Sequence, residues 1–173
     1  TQRVKNMHCY GYDKPTTPNE HRIAEEGVLF ENHFVTGPWT LPSHTSMFTG
    51  LYPFTHRADI EHAYFDDAYP TWAEMAAKMG YRTAAFNPNA WVRCTEADRG
   101  FNLIDSCEKP TNVDSVSRFT AERFAQWLDV YQGDERPFFA FLNFGDPHLA
   151  CKPLEPFLSQ FLAEGVTPEE AMA

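Results

Sequence analysis

The sequence predicts an α/β fold in which a mainly parallel sheet carries helices on both faces. Two observations lead to this prediction. Apolar residues recur at helical spacing over 113–132, and an almost wholly apolar run, 137–144, follows closely. A shorter helical pattern over 72–79 likewise leads into the strand-like residues 81–86. Helix-to-strand units of this kind are typical of parallel sheets, whose inner strands are apolar throughout because both of their faces are covered.

The first predicted helix begins at Pro18. Thr17 is a suitable N-cap, Pro18 suits the first helical position, and Gly27 suits the C-terminal stop. Residues 28–35 follow as a predicted buried strand.

A second helix is predicted from about Pro42 to Phe48, with its end near Gly50. Proline suits a first helical turn because it has no amide hydrogen to leave unpaired and its φ is already helical. Thr40 precedes this turn, so its hydroxyl is expected at the positive end of the helix dipole. An anion is favoured there. A hydroxyl that attacks a phosphate or sulfate ester is therefore expected at this position. The alternative is that Thr40 only caps the helix and that the ring nitrogens of His44 form hydrogen bonds with nearby groups.

The remaining elements alternate between helix and strand. The helix before Gly80 is marked by Trp72, Met75, Ala76 and Met79. The long helix has an apolar stripe that we interpret as core packing, formed by Val116, Phe119, Phe124, Trp127, Leu128 and Tyr131. Residues 137–144 are predicted to be an inner strand, and Gly-Asp-Pro-His follows at 145–148. Ligands of doubly wound folds bind at this carboxyl edge of the sheet.

Residues 36–53 resemble the nucleophile motif of the sulfatase family, within the alkaline phosphatase superfamily. The sulfatase motif reads Cys or Ser, any residue, Pro, Ser, Arg, two spacers, two apolar residues, Thr and Gly. The matching positions are Thr40, Pro42, Ser43, Met47, Phe48, Thr49 and Gly50. Residues 9–12, 17–19 and 24–30 resemble the opening of sulfatase domains, so the resemblance covers nearly the whole chain. It implies an alkaline-phosphatase-like fold, and a substrate-binding role for Ser43.

Two positions depart from the sulfatase motif. Thr40 stands where sulfatases carry the Cys or Ser that is oxidised to formylglycine, and His44 stands where they carry Arg. Formylglycine cannot be made from Thr, so the aldehyde-hydrate mechanism is not expected. Thr40, Pro42, His44 and the run 49–53 are instead similar to the nucleotide pyrophosphatase and phosphodiesterase branch, which uses Thr. His44 either holds the hydroxyl or a metal-bound water, or is buried beneath the nucleophile.

The other candidate site residues follow strands. Sulfatases continue a Gly-Tyr-Arg-Thr segment into Gly-Lys-Trp-His, whose Lys and His contact sulfate, whereas this chain has Asn-Pro-Asn-Ala at 87–90. Asn87 or Asn89 either donates an amide to the substrate or forms a plain turn. The segment 145–148 resembles the sulfatase Pro-His motif, which implies that His148 contacts the transferred group or the leaving oxygen. A surface role for His148 and a turn role for Asp146 are the alternatives.

The resemblance implies a metal-dependent hydrolase of sulfate or phosphate esters that acts through a Thr40 nucleophile and a covalent intermediate. Thr40 would also be one ligand of a divalent metal, calcium or, if phosphodiesterase-like, zinc or manganese. The other ligands are expected outside this chain, because residues 1–173 correspond to a partial catalytic domain without its first strand and C-terminal half. Residues 1–173 alone are therefore expected to be inactive. The alternatives are a phosphoethanolamine- or phosphoglycerol-type transferase and a non-catalytic binding relative.

Composition restricts the partners. The net charge of −10 and the lack of a basic stripe argue against binding to nucleic acid or anionic membranes. No run is long and apolar enough to cross a bilayer. The expected partner is a small-molecule, glycan or lipid ester, and the compartment is unassigned. The cysteines are interpreted as free thiols, with a disulfide left open: Cys9, Cys94, Cys107 and Cys151.

Overall fold

The structure is a computed structural model that describes residues 2–93, 96–146, 148 and 153–172. The chain divides into two compact units. One comprises Thr1–Phe34 with Pro147–Ala173, and the other comprises Val35–Asp146. The candidate nucleophile Thr40 lies in the second unit.

Helix α1 spans Pro18–Glu26, as predicted, and Gly27 follows it. Thr17 precedes the helix but makes no side-chain cap bond. Its hydroxyl instead accepts a hydrogen bond from the backbone N–H of His8 at 3.0 Å. Thr17 therefore occupies the predicted N-cap position, where its carbonyl accepts the N–H of His21 at 3.0 Å, but its hydroxyl holds the preceding turn and does not cap the helix.

The predicted buried strand at 28–35 is also wrong. This segment has no strand structure, and Val28 and Phe34 are 79% and 82% exposed. A strand needs a neighbour to pair its backbone N–H and C=O groups, and none of the strands in the described residues pairs with this segment. Its apolar composition alone suggested a strand that has no partner.

The sheet of the second unit is parallel throughout. Its strands are β1 (Arg82–Phe86), β2 (Leu103–Asp105) and β3 (Phe138–Leu142), in the order β2-β1-β3. Ala84 of β1 is aligned with Leu103 on one side and Ala140 on the other. The predictions of β1 and β3 are confirmed, but β1 is central and β3 is an edge among the described residues.

Five helices accompany this sheet in the described residues of the second unit. They are α2 (Thr40–Thr49), α3 (Pro53–His56), α4 (Trp72–Lys78), α5 (Ala90–Arg93) and α6 (Val116–Val130). Helix α6 lies within the predicted 113–132, and Gly50 ends α2 in the left-handed conformation at φ 72°. Helix α4 begins with a capping box in which Thr71 and Glu74 each accept the other's backbone N–H.

The core confirms that both faces of the sheet are covered. One face packs a cluster formed by Phe48, Ala73, Ala85, Val92, Ala97 and Phe101, with Phe139 and Phe141 against it. The other face packs a cluster formed by Ala84, Phe86, Cys107 and Trp127, with Phe119, Phe124, Leu128 and Leu142 against it. Because successive side chains of a strand point to opposite faces, β1 and β3 contribute to both clusters.

Helix α4 is confirmed, but only part of its predicted apolar stripe is buried. Ala76 of the stripe is buried together with Ala73, whereas Trp72, Met75 and Met79 are 54%, 40% and 70% exposed. Helix α4 thus contacts the core through its small side chains and leaves its large apolar ones in solvent.

The last described elements are α7 (Phe157–Phe161) and α8 (Pro168–Met172). No helix within the described part of the chain has the length and apolar character needed to span a membrane. Cys9 and Cys107 are free thiols. The predictions for Cys94 and Cys151 fall outside the described residues.

Candidate active site

Thr40 is the first residue of α2, so this helix begins two residues earlier than predicted. Trp39 precedes it with extended backbone, at φ −145° and ψ 178°. The first backbone N–H groups of a helix have no intrahelical partner, and the positive end of the helix dipole lies at the same place. Thr40 therefore stands where an anion is stabilised, as the sequence suggested.

The hydroxyl of Thr40 is available for chemistry. The residue is half-buried, and its hydroxyl makes no hydrogen bond with any described residue. Ser43 lies in the same helical turn, and it too is half-buried with a hydroxyl that is unbonded among the described residues. The first turn of α2 thus carries two hydroxyl groups that no protein group engages in the described chain.

His44 lies one turn after Thr40 and contacts its backbone. The Nδ1 atom of His44 is 2.8 Å from the carbonyl oxygen of Thr40, so Nδ1–H is the donor. Burial lowers the pKa of His44, and the bond to the Thr40 carbonyl opposes this effect only in part. A neutral ring that donates through Nδ1 keeps a lone pair on Nε2. The bond reaches the carbonyl of Thr40 and not its hydroxyl.

The start of α2 lies toward the carboxyl edge of the sheet. The Trp39 ring meets the Trp91 ring of α5 edge-on at 5.7 Å, and α5 follows the carboxyl end of β1. The His44 ring meets the ring of Phe141, the penultimate residue of β3, at 5.9 Å. This is the edge at which doubly wound folds bind ligands.

Asparagine side chains occupy the same edge. Asn87 follows β1 and is fully buried, and its Oδ1 accepts from the N–H of Asn89 and from Nδ2 of Asn143, each at 3.0 Å. Asn87 is thus committed to the turn. Oδ1 of Asn89 accepts the N–H of Trp91 at 3.0 Å, while Nδ2 of Asn89 makes no hydrogen bond with described residues. Sequence reasoning missed Asn143, although a polar residue directly after an apolar strand was the available signal.

Asp146 anchors the start of α6. Its Oδ2 accepts from the Ser115 hydroxyl at 2.7 Å and from the N–H of Ser117 at 3.0 Å. In return, its own N–H donates to the Ser117 hydroxyl at 2.9 Å. Burial would raise the pKa of Asp146, but the hydrogen bonds from Ser115 and Ser117 outweigh it and lower the pKa. Asp146 is held as an ionised carboxylate by α6.

His148 belongs to the other compact unit and is exposed. Its neighbours Pro147 and Leu149 are outside the described residues. Thr40, Ser43 and His44 are therefore the predicted site residues that one element brings together, with Asn89 and Asp146 following the ends of neighbouring strands.

A divalent metal ion needs several ligand side chains close together. Among residues 2–93, 96–146, 148 and 153–172, no three His, Cys, Asp or Glu side chains are grouped to hold one. Thr40 offers a single oxygen. These residues by themselves do not make a complete divalent cation site.

Comparison with known proteins places these features in context. A family model described as Sulfatase matches residues 1–164. N-acetylgalactosamine-6-O-sulfatase of Bacteroides thetaiotaomicron is 32% identical over 85 residues, which cover 46% of this chain and 17% of that protein. Arylsulfatase K of Xenopus laevis is 24% identical over 146 residues, which cover 73% of this chain and 27% of that protein. The chain thus spans about a quarter or less of these relatives.

A solved structure has the same fold. The crystal structure of phosphonate monoester hydrolase of Agrobacterium radiobacter matches with a TM-score of 0.70 at 21% identity. The match covers 90% of this chain and 41% of that one. It confirms the alkaline-phosphatase-like architecture that the sequence predicts.

Proposed function

The chain belongs to the sulfatase family, and from this premise we propose that the whole protein hydrolyses sulfate or phosphate esters with Thr40 as its nucleophile. The observation that supports this proposal most is the half-buried, unengaged hydroxyl of Thr40 at the start of α2. The Thr40 oxygen attacks sulfur or phosphorus in line, and the bond to the alcohol oxygen breaks. Water then cleaves the covalent intermediate on Thr40 and restores the hydroxyl.

The first turn of α2 stabilises the charge that develops during attack. Its backbone amides and dipole favour negative charge on the oxygens of the transferred group. Ser43 and the free amide of Asn89 are proposed to donate hydrogen bonds to those oxygens. His44 fixes the turn through the Thr40 carbonyl, and His148 is proposed to bind the anion or to protonate the departing alcohol oxygen. Asp146 accepts hydrogen bonds from Ser115 and Ser117 at the start of α6. It is therefore proposed to keep the carboxyl edge of the sheet in place.

A divalent cation is part of this proposal for the whole protein. Thr40 is its candidate ligand in this chain, and the remaining ligands are proposed to come from other parts of the protein. The ion would lower the pKa of the hydroxyl and neutralise the ester oxygens. Removal of metal by a chelator is expected to abolish turnover, and readdition of calcium, zinc or manganese identifies the ion by which one restores it.

The transferred group is proposed to be phosphoryl or sulfuryl. A Thr nucleophile, which cannot become formylglycine, favours phosphate mono- or diesters, and a phosphonate monoester hydrolase shares the fold. The relatives named as sulfatases support sulfate esters. A transferase, which passes the group to an alcohol, would give a new ester when an alcohol acceptor is added. A non-catalytic relative would turn over no ester in the presence of metal.

The decisive experiment uses the whole protein and replaces Thr40. Hydrolysis of an aryl sulfate, a phosphate monoester, a phosphodiester and a phosphonate monoester is measured for wild type, Thr40→Ala, Thr40→Ser and the exposed loop control Thr111→Ala. Thr40→Ala is expected to lower kcat at least about 10³-fold, as loss of a nucleophile does. Thr40→Ser is expected to retain measurable turnover, and Thr111→Ala to match wild type. Equal activity of wild type and Thr40→Ala would refute the mechanism.

A further inference from the structure

Two asparagines, Asn87 and Asn143, extend β1 and β3 by one residue at the carboxyl edge of the sheet. The N–H of Asn87 donates to the Asp105 carbonyl of β2 at 2.8 Å. The N–H of Asn143 donates to the Phe86 carbonyl of β1 at 2.9 Å. Since Phe86 is aligned with Leu142, the two asparagines are the next pair in this register. The parallel ladder therefore holds both backbones just beyond the last residues of the strands.

The side chains of this pair lie on the face of the sheet that α2 covers. Ala85 and Phe141, two residues before Asn87 and Asn143, pack with Phe48 of α2 in one core cluster. The Phe141 ring meets the Phe48 ring at 4.9 Å. Because strand side chains alternate between the two faces, Asn87 and Asn143 follow on the same face as α2. Their amide contact at 3.0 Å is the contact of two same-face neighbours on adjacent strands.

Asn143 fixes which way the buried amide of Asn87 points. Oδ1 of Asn87 accepts from Nδ2 of Asn143 and from the N–H of Asn89, each at 3.0 Å. Nδ2 of Asn87 donates to the Asn89 carbonyl at 3.4 Å. Rotating the Asn87 amide by half a turn would set its NH2 group against two donors, and a buried donor without a partner is costly. Asn143 therefore selects the orientation in which Asn87 holds the backbone of Asn89.

The turn at Asn89 borders on the start of α2. Oδ1 of Asn89 accepts the N–H of Trp91 at 3.0 Å, and the Asn89 carbonyl accepts the N–H of Val92 at 3.3 Å. The Trp91 ring contacts the ring of Trp39, which directly precedes Thr40. Nδ2 of Asn89 makes no hydrogen bond with described residues. The side chain of Asn89 is thus held through its oxygen, and its NH2 group is left for a ligand.

We propose that Asn143 is a positioning residue for the reaction at Thr40. Asn143 orients Asn87, Asn87 holds the turn at Asn89, and this turn places the free NH2 group of Asn89 for the oxygens of the transferred group. Asn143 itself contacts no reacting atom. This inference rests on the proposed function, because the Asn89 donor is part of that proposal.

The kinetic test uses the whole protein and the ester that wild type hydrolyses fastest. Asn143→Ala removes the donor to Asn87, and Asn143→Asp keeps the shape of the side chain but sets a carboxylate oxygen against Oδ1 of Asn87. Both are expected to lower kcat at least about tenfold, because small displacements of catalytic groups are costly. Asn112→Asp, at an exposed loop position, makes the same charge change and is expected to match wild type. Wild-type kcat in Asn143→Ala would overturn the proposal, whatever the added charge does in Asn143→Asp.

A double-variant cycle distinguishes positioning from a merely structural role. Asn89→Ser keeps a side-chain oxygen that can accept the N–H of Trp91 but removes the free NH2 group. If Asn143 acts through Asn89, Asn143→Ala is expected to change kcat of the Asn89→Ser protein by no more than about twofold. Losses that multiply in the double variant would show that Asn143 acts by another route, and they would refute the inference.

Amide hydrogen exchange tests the same link without turnover. In Asn143→Ala, a peptide covering 88–92 is expected to exchange at least about threefold faster than in wild type, in line with loss of one buried hydrogen bond. The peptide covering α4 and the Asn112→Asp protein are expected to match wild type. If esters are hydrolysed but 88–92 exchanges equally in wild type and Asn143→Ala, the inference is refuted and the hydrolase stands. If no ester is hydrolysed but exchange at 88–92 depends on Asn143, the proposed function fails and the link from Asn143 to the turn stands.

Discussion

Two histidines, His44 in α2 and His56 in α3, are kept neutral by burial. The pKa of His44 and that of His56 both lie below the ordinary value of about 6.5, because burial disfavours the imidazolium. A lowered folded-state pKa means that the unfolded chain binds protons first as the pH falls. The stability that depends on neutral imidazole is therefore present above about pH 6.5 and is lost as the pH falls through the lower folded pKa values.

We expect the free energy of unfolding to fall between pH 7 and pH 5. Urea unfolding of wild type at both values measures this fall. His56→Gln cannot titrate, so its loss between the two pH values should be smaller, even if its stability at pH 7 is reduced. His33→Gln, an exposed control, should follow wild type. An unchanged pH dependence in His56→Gln would contradict the assignment.

Gly37 sets the position of the first turn of α2, which carries the proposed nucleophile Thr40. A Cβ atom at Gly37 would lie 2.8 Å from Cβ of Pro42 and 2.9 Å from its Cγ. Gly37→Ala is therefore expected to displace the start of α2 and to cost about 1–3 kcal/mol of stability, as overpacking does. It is also expected to lower kcat by more than the loss of folded protein would explain. Thr111→Ala, in the exposed loop before α6, is the control and should change neither. Wild-type kcat in Gly37→Ala would show that the turn tolerates this shift.

At the scale of elements, the cap of α4 joins two parts of the second unit. The Thr71 hydroxyl accepts the N–H of Glu74 at 3.1 Å and donates to the Arg99 carbonyl at 2.7 Å. Glu74 in turn pairs with the Arg99 guanidinium at 3.0 Å. The cap thus joins the start of α4 to the loop before β2.

Thr71→Ala removes both bonds of this hydroxyl. It is expected to destabilise the protein by about 1–2 kcal/mol, the upper part of the range for lost N-caps. The measurement is the urea midpoint at pH 7, with Thr111→Ala as an exposed control on the same unit. A loss below about 0.5 kcal/mol would show that water replaces the cap.

The sequence predicts secondary structure elements well where an apolar periodicity extends over many residues, or where Pro or Gly marks one end of an element. Helix α6 is identified by its stripe, and α1 and α2 are identified by Pro18 and Gly50. Strand β2 has only three residues and gives no pattern. The segment 28–35 and the outward face of α4 are mispredicted because pairing partners and helix orientation depend on neighbours that composition does not reveal.

The site is predictable to a similar extent. Thr40 at a helix start follows from Pro42 and from the motif, and the strand-end positions of Asn89 and Asp146 follow from the apolar runs before them. The bond from His44 to the Thr40 carbonyl and the amide contact between Asn87 and Asn143 do not follow, because they depend on rotamers and on strand register.

At the scale of the whole molecule, the described residues of 1–173 carry the proposed nucleophile Thr40 but no group of side chains that could complete a metal site. We expect this segment, expressed alone, to hydrolyse none of the four esters faster than whole-protein Thr40→Ala does. The physical reason is that the described residues group no metal ligands and a bare hydroxyl is a weak nucleophile. The measurement is initial rate with added metal, and circular dichroism of the same sample verifies folding. Metal-dependent turnover by the folded segment would contradict this expectation.

The edge-on pair of Trp39 and Trp91 has an optical consequence. Two indoles with centroids 5.7 Å apart and planes at 89° couple their electronic transitions, so they should give a near-ultraviolet dichroism band that neither ring gives alone. One indole immediately precedes Thr40 and the other follows β1. This band should therefore report, without any added label, the position of the first turn of α2 relative to the carboxyl end of β1.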